Sequence, residues 1–334
     1  MSHLSQLLSK LIMNKNIFTK LILLLVMGFT HTCFADKRPI ITINQFVSHV
    51  SLDNAYSGLM KALLDREIIP NKAEVMLDNA QGNISHGIQI AKYHASLRPD
   101  FMVSISTPSS QISLKTMRAM RSRDARLAFV AVTDPKSANI IGDDHIDVIG
   151  VVDRPPVQEL VDLAIRVFPD LHVVGVIFNS GEINSVKTTD RLEEVLKKNN
   201  IQLKKVSISN SNDVKNAMSQ LIGKVDIVYL PQDNIVASSI NSIVAISKEH
   251  KIPLISNDPA FVGKGVMMAL GANYFDSGKQ LGNMIADTLE GKFLTDKIQK
   301  NNVKELKINH TIVEELGISI PEDIAARINV REEE

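Results

Sequence analysis

The chain has no tryptophan, a single cysteine and only 4% aromatic residues over 334 positions. Each scarcity excludes something. Few aromatic faces are available on which unpaired nucleobases stack. Lys+Arg stands at 37 against Asp+Glu at 37, so no basic excess draws a nucleic-acid backbone. Cys33 alone forms no intrachain disulfide, and stability must come from a packed core. A chain of this length, 44% hydrophobic, can supply one. Also missing are a G-x-G-x-x-G fingerprint, a Walker loop and a G-x-S-x-G elbow. The nine His show no metal-ligand pairing at helical or hairpin spacing, so no metal and no cofactor are expected.

Residues 1–35 differ from the rest. They hold Lys10, Lys15 and Lys20 and no acid, which leaves 37 − 3 = 34 basic against 37 acidic residues in the body. The apolar run 21–29 follows Lys20 and is too short to span a bilayer, which takes about 20 residues. Positive flank, short apolar run and small residues predict a secretory signal, cleaved after Ala35 so that Asp36 leads. Met13 is an alternative start. The rival reading makes Cys33 a lipid anchor, but Thr30, His31 and Thr32 match a lipoprotein processing box poorly.

From Pro39 onward apolar runs alternate with helical patterns. Strands are expected over 39–46, 73–80, 100–106, 126–132 and 147–153, then over 172–179, 201–208, 225–231, 252–257 and 265–271. The runs are mostly Val, Ile and Leu with little alternation, as in parallel sheets covered on both faces. Between them, 52–68 places Leu52, Ala55, Leu59 and Leu63 on one helical face, and 183–200 does the same with Val186, Leu192, Val195 and Leu196. The fold class is α/β, doubly wound, in two sets of units. Arg154-Pro155-Pro156 breaks the pattern between the sets.

Ligands of open parallel sheets sit beyond the carboxyl ends of the strands. There this sequence collects short polar side chains. Gln45 and His49 follow the first strand, Ser106, Thr107, Ser109 and Ser110 the third, and Thr133 and Asp134 the fourth. In the second set come Asn179, Glu182, Asn184 and Ser185, then Asp233 and Asn234, then Asn257. Helix capping accounts for any one corner taken alone. Pro108 points to a cap at Thr107, whereas Asp233 and Asn234 together exceed what one cap requires. Gly142 to Asp147 reads as a solvated loop or, through Asp143, Asp144 and His145, a cation loop. A nucleophile at Ser109 or Ser110 needs a base, and His49 is the sole candidate from a nearby corner.

Five short stretches, in order, then resemble a known family. They are Ser106-Thr107-Pro108-Ser109-Ser110-Gln111, Thr133-Asp134-Pro135, 179–185 (NSGEINS), Pro231-Gln232-Asp233-Asn234 and 269–274 (ALGANY). The chain from Ile41 to about Pro321 resembles the extracytoplasmic solute-binding proteins of ABC transporters of the tryptophan/tyrosine-transport group. Ser48 and Val50 depart from the family's acid and proline after the first strand, and the family's later acid stands as Asn257, with Asp258 following.

The resemblance implies a type I periplasmic-binding fold, two doubly wound parallel-sheet lobes joined by a three-segment hinge near Asp153 and Tyr274. Expected boundaries are 1–35 for the signal peptide, 36–153 plus 274–300 for the N-terminal lobe, and 154–273 plus 301–334 for the C-terminal lobe. It implies a monomeric periplasmic protein that binds a small molecule between the lobes and presents it to a membrane permease, with no catalysis. A hydroxyl-lined helix start without lysine suits a carboxylate, and Glu182 and Asp233 suit an ammonium group. With Phe46, Phe178 and Leu230 bordering the corners, an apolar or aromatic amino acid is expected. The alternatives are a secreted enzyme using Asp or Glu as acid and base, or a ligand-sensing envelope module on the same fold.

Overall fold

The computed structural model describes residues 38–122, 124–142, 145–301, 303–327 and 331–333. The signal segment, its cleavage site, Cys33, Asp143 and Asp144 lie outside them. The first half runs β1 (Ile40–Gln45), α1 (Val50–Asp65), β2 (Glu74–Asn79), α2 (Ile84–Ser96), β3 (Phe101–Ile105), α3 (Thr107–Met120), β4 (Arg126–Val132) and β5 (Val148–Val152). Then come α4 (Val157–Val167), β6 (Val173–Asn179), α5 (Ile183–Lys198), β7 (Gln202–Ile208), α6 (Asp213–Leu221), β8 (Ile227–Leu230), α7 (Asn234–Ser238) and α8 (Ile240–Glu249). They lead to β9 (Leu254–Ser256), a 3-10 turn (Pro259–Lys264) and β10 (Met268–Ala272). The chain ends with α9 (Tyr274–Leu289), β11 (Ile298–Lys300), β12 (Val303–Ile308), α10 (His310–Leu316), α11 (Glu322–Ala326) and β13 (Arg331–Glu333).

These strands form two sheets, ordered β11-β5-β4-β3-β1-β2 and β13-β12-β10-β9-β8-β6-β7. Setting the late strands aside, both follow one winding, second-first-third-fourth-fifth. That winding reverses direction between its first and third strands, which opens a crevice at their carboxyl ends. The crevices are therefore at β1/β3 and at β6/β8. All pairings are parallel except β10/β12 and β12/β13.

Packing follows from strand alternation. Phe101, Val103 and Ile105 turn one way into a core with Leu59, Leu281 and Ile285, while Met102 turns the other way toward Ile112, Leu114 and Met117. In the second sheet Ile227 and Tyr229 meet Leu160 and Leu192 on one face, and Val228 and Leu230 meet Met218 and Ile243 on the other. Each such buried side chain contributes about 1.5–3 kcal/mol. Burial on both faces holds for the central strands. It does not hold for β2 and β7, whose exposed and half-buried positions interleave because each is an edge strand. The short β11, β12 and β13 were not expected from the sequence. β11 is a polar edge strand of the first sheet, whereas β12 is paired on both sides in the second sheet and buries Leu306 and Ile308 in its core.

The chain passes between the sheets three times, at residues 153–156, at Asn273 and at Asn301. After the second passage α9 lies against α1. Their backbones touch: a Cβ on Gly278 would sit 1.9 Å from the carbonyl oxygen of Ala55, and one on Gly58 1.9 Å from that of Phe275. Glycine at both positions is what permits this approach.

Candidate functional site

The two crevices face each other across a cavity of about 30 Å³. From the first sheet it is lined by His49 and Leu52 at the start of α1, Ser106 and Thr107 at the start of α3, and Ala131 and Thr133 at the end of β4. From the second it is lined by Asn184 of α5, Gln232, Asp233, Asn234 and Ala237 after β8, and Asp258 and Phe261 after β9. Tyr274 closes it at the hinge. The cavity has the room of water-sized occupants, so a larger molecule enters only when the lobes part about the three passages.

The first-lobe wall is built under strain. Ser106 sits at φ 100, ψ 159, a region nearly restricted to glycine. It is held there because its N–H donates to the Val130 carbonyl (3.0 Å) and its carbonyl accepts from Ser110 N (3.1 Å) and Ser110 Oγ (2.8 Å). Ala131 also takes a positive φ of 59, where the β4/β5 register slips between Phe129 and Val132. That bulge carries Thr133 to the cavity. The cap of α3 is Ser106, one residue before the expected Thr107, and its hydroxyl makes no capping bond. Ser106 Oγ and Thr107 Oγ1 are both buried without a partner. Capping does not account for them.

The second-lobe corner behaves the opposite way. Asp233 caps α7, its Oδ1 accepting from Ile235 N (2.9 Å) and Val236 N (3.0 Å). Its Oδ2 accepts from Asn179 N (2.5 Å) and Ser185 Oγ (2.6 Å). Glu182 Oε1 accepts from Asn179 Nδ2 (3.2 Å), and Oε2 from Asn184 Nδ2 (3.3 Å), Asn234 N (3.3 Å) and Asn234 Nδ2 (2.6 Å). Every oxygen of the two carboxylates is thus engaged by protein donors. Burial, followed by the neighbouring Asp233 charge, pushes Glu182 up to about 7, and burial raises Asp233 as well.

At the hinge, Asp153 Oδ2 accepts from the Tyr274 hydroxyl and from Gln232 Nε2 (2.7 Å), while Oδ1 is buried without a partner. Thr133 Oγ1 donates to Gln232 Oε1 (3.4 Å). Asp258 Oδ2 accepts from Ser51 Oγ across the lobes, and Oδ1 from Ala260 N (3.0 Å). Burial pushes Asp153 up to about 6 and Asp258 up to about 7. His49 Nε2 reaches Asn234 Oδ1 at 3.3 Å, and burial pushes the imidazole down to about 4.

Of the residues expected at the site, His49, Ser106, Thr107, Thr133, Asn184, Asp233 and Asn234 line this cavity. Glu182, Asn179 and Ser185 stand behind it, bonded to Asn234, Asn184 or Asp233. Others are turned elsewhere. Gln45 donates to Asp53 Oδ1 (2.7 Å) and Ser109 to Asn44 Oδ1 (3.4 Å), while Ser110 donates to the Ser106 carbonyl. Asp134 accepts from Lys136 N and Ser137 in its own turn. Asn257 is held by the Tyr229 hydroxyl and the Leu270 carbonyl. Among the described residues no hydrogen bond joins His49 to Ser109 or Ser110, so a serine nucleophile lacks its base. Among them too, no cluster of three or more metal-ligating side chains occurs and no helix is long and apolar enough to cross a membrane.

The apolar wall differs from expectation. It is Leu52, Ala131, Ala237 and Phe261, whereas Phe178 and Leu230 pack into the second lobe's cores and Phe46 lines a separate surface groove. Strand alternation sends Phe178 and Leu230 inward. Sequence reasoning also passed over Gln232 as a cavity group, and named Asp153 and Tyr274 only as hinge positions, not as partners of Gln232 and of each other. The signal for Gln232 was available: it lies inside the P-Q-D-N corner.

The model for the family "ABC transporter substrate binding protein" matches residues 40–330. The tyrosine-binding protein of Clostridioides difficile (strain R20291) is 32% identical over 266 residues, covering 78% of this chain and 76% of its own. The ABC domain from Streptococcus pneumonia, solved in complex with L-Trp, is 26% identical with a TM-score of 0.82, covering 87% of this chain and 99% of its own. A substrate-binding protein with adhesive properties from Clostridium difficile, solved ligand-free and open, is 30% identical with a TM-score of 0.65, covering 87% of this chain and 98% of its own. The less similar sequence superposes better, so the lobes here stand nearer the arrangement of the complex than that of the open form. On this match the chain belongs to the ABC transporter substrate-binding proteins, extracytoplasmic proteins of the type I periplasmic-binding fold that bind a small molecule and do not convert it.

Proposed function

We propose that this protein is the solute-binding component of an importer, and that its ligand is an α-amino acid with an apolar or aromatic side chain. The observation that carries this reading is the pair of buried, unpartnered hydroxyls, Ser106 Oγ and Thr107 Oγ1, at the start of α3. A helix start concentrates unsatisfied N–H groups and positive potential, and two idle hydroxyls beside it suit a compact carboxylate. Opposite stand acceptor side chains and carboxyl groups fit for an ammonium. Leu52 and Phe261 supply apolar surface between them. Relatives that bind tyrosine or hold L-Trp support the same ligand class.

The lobes of this reading are 36–153 with 274–300, and 154–273 with 301–334. Residues 1–35 direct export and are removed after Ala35, and the mature monomer hands its ligand to a permease. Rotation about the three passages opens and closes the cleft.

The chain's lack of tryptophan provides the test. Any indole emission on mixing comes from added L-tryptophan, and a saturable blue shift, reversed by other apolar amino acids, is the expected result. Saturable binding of a sugar or nucleoside, with no response to any amino acid, refutes the ligand class.

A further inference from the structure

Several of the cavity's polar groups have a hydrogen-bond polarity that the protein itself fixes. Asn184 Nδ2 donates to the Gln232 carbonyl at 2.8 Å. A backbone carbonyl only accepts, so the amide stands one way round, and its Oδ1 is left buried without a partner. Asn234 Nδ2 is committed to Glu182 Oε2 at 2.6 Å, so Asn234 Oδ1 is the atom that faces His49 Nε2. The imidazole hydrogen therefore lies on Nε2. His49 is buried and neutral, which makes its Nδ1, also without a partner, a bare acceptor. Asp258 accepts one donor on each oxygen, from Ala260 N and Ser51 Oγ, and a carboxylate has about four acceptor sites. Neither Asp258 nor the nearby Asp153 is ion-paired with any cationic side chain among the described residues.

Asn184, His49 and Asp258 line the same cavity. They offer three acceptors and one negative charge, which is the complement of a primary ammonium with its three N–H groups. Asp233 already accepts four protein donors, two on each oxygen, and Glu182 also accepts four and stands behind the cavity wall, whereas Asp258 accepts two and lines the cavity.

We propose that the ligand's α-ammonium is bound by Asp258, Asn184 Oδ1 and His49 Nδ1, and that Glu182 and Asp233 are positioning residues that orient this cradle. The proposal rests on the amino-acid reading above and names the subsite within it. A secondary ammonium leaves one acceptor unpaired, and a hydroxyl in its place leaves Asp258 without a cation.

The test uses the tightest binder among L-tryptophan, L-tyrosine and L-phenylalanine, with its N-methyl and 2-hydroxy-acid counterparts, by calorimetry. On the unaltered protein we expect N-methylation to weaken binding at least about tenfold, the order set by one unpaired buried acceptor. The hydroxy acid is expected to bind weaker still. Asp258→Asn, an isosteric change, should shrink the amino-acid to hydroxy-acid affinity ratio at least tenfold, and Asn184→Ala should shrink it in the same direction. Glu182→Gln should move the ratio less than Asp258→Asn does, because Glu182 stands behind the cavity wall: the Gln carbonyl can take the place of Oε2, and its amide then meets the Asn179 Nδ2 donor, a cost that both ligands share. A purely structural role would lower both affinities together and leave the ratio alone. Equal binding of all three ligands by the unaltered protein overturns the cradle, whatever the variants do. A larger ratio change in Glu182→Gln than in Asp258→Asn overturns it too. No saturable binding of any of the amino acids refutes the amino-acid reading itself, and the cradle with it.

Discussion

Replacing Ser106 with glycine should make the protein more stable and a poorer binder. The residue holds a non-glycine side chain at φ 100, ψ 159 and buries an unpartnered hydroxyl. Strain of this kind costs about 1–3 kcal/mol, and an orphaned buried hydroxyl about 1–3 kcal/mol more. Against this, glycine adds about 0.5–1 kcal/mol of unfolded-chain entropy. The terms overlap, since the hydroxyl contributes to the same site, and a net gain of about 1–3 kcal/mol is the expected outcome. The melting temperature of the ligand-free protein should rise by several degrees. The same change removes one donor to the ligand carboxylate, and a hydrogen bond to a charged group is worth about 1.5–3 kcal/mol. Affinity should therefore fall about 10- to 150-fold. Ser106→Ala is the control: it loses the hydroxyl but keeps the strain, so it weakens binding with a smaller gain in stability. Denaturant titration and calorimetry read the two effects separately. A less stable Ser106→Gly, or one that binds as well as the unaltered chain, refutes the reasoning that strain is kept here for the ligand.

Gly278→Ala should destabilise the protein by about 1–3 kcal/mol or more, because its Cβ would lie 1.9 Å from the Ala55 carbonyl oxygen; thermal unfolding checks it. Asp233→Ala should lower stability together with affinity, since it strips the acceptor from four donors around α7; an unchanged unfolding midpoint with lost binding would argue for direct ligand contact instead. Burial raises Asp258 and Glu182 to about 7 and Asp153 to about 6, so their contribution to ligand-free stability is present below the ordinary carboxyl range and is lost as pH rises through those values. The melting temperature of Asp258→Asn should accordingly fall less steeply than that of the unaltered chain between about pH 4 and pH 7, from the ordinary carboxyl value of 3.8 to the raised value of about 7. A cationic ligand pulls Asp258 back down, against its neighbour Asp153 and with distant help from Lys307. Binding near neutral pH should then release protons and tighten as pH rises through about 7, which calorimetry in buffers of different ionisation enthalpy measures.

Much of the architecture is written in local pattern. Runs such as FMVSI and VIGVV are apolar on both sides of the pleat, and only a sheet covered on both faces buries them. Strand-helix alternation then requires parallel pairing, and parallel winding puts a crevice at the carboxyl ends, so the corners holding Ser106, Asn184 and Asn234 could be named before any coordinates. What each polar group does there was not legible. Asp233 and Ser106 are both short polar residues at helix starts, and capping predicts the same sequence signature for each. Only the fold spends the Asp233 carboxylate on four protein donors and leaves the Ser106 hydroxyl idle, because hydrogen-bond satisfaction depends on which backbone groups of other elements come within about 3 Å. The Asn184 amide, the His49 tautomer and the pairing of Ser51 with Asp258 across the lobes are likewise properties of residues far apart in the chain, brought together by two sheets facing each other. Periodicity reports burial, which is a local average; polarity at a site is set by partners that only tertiary structure supplies.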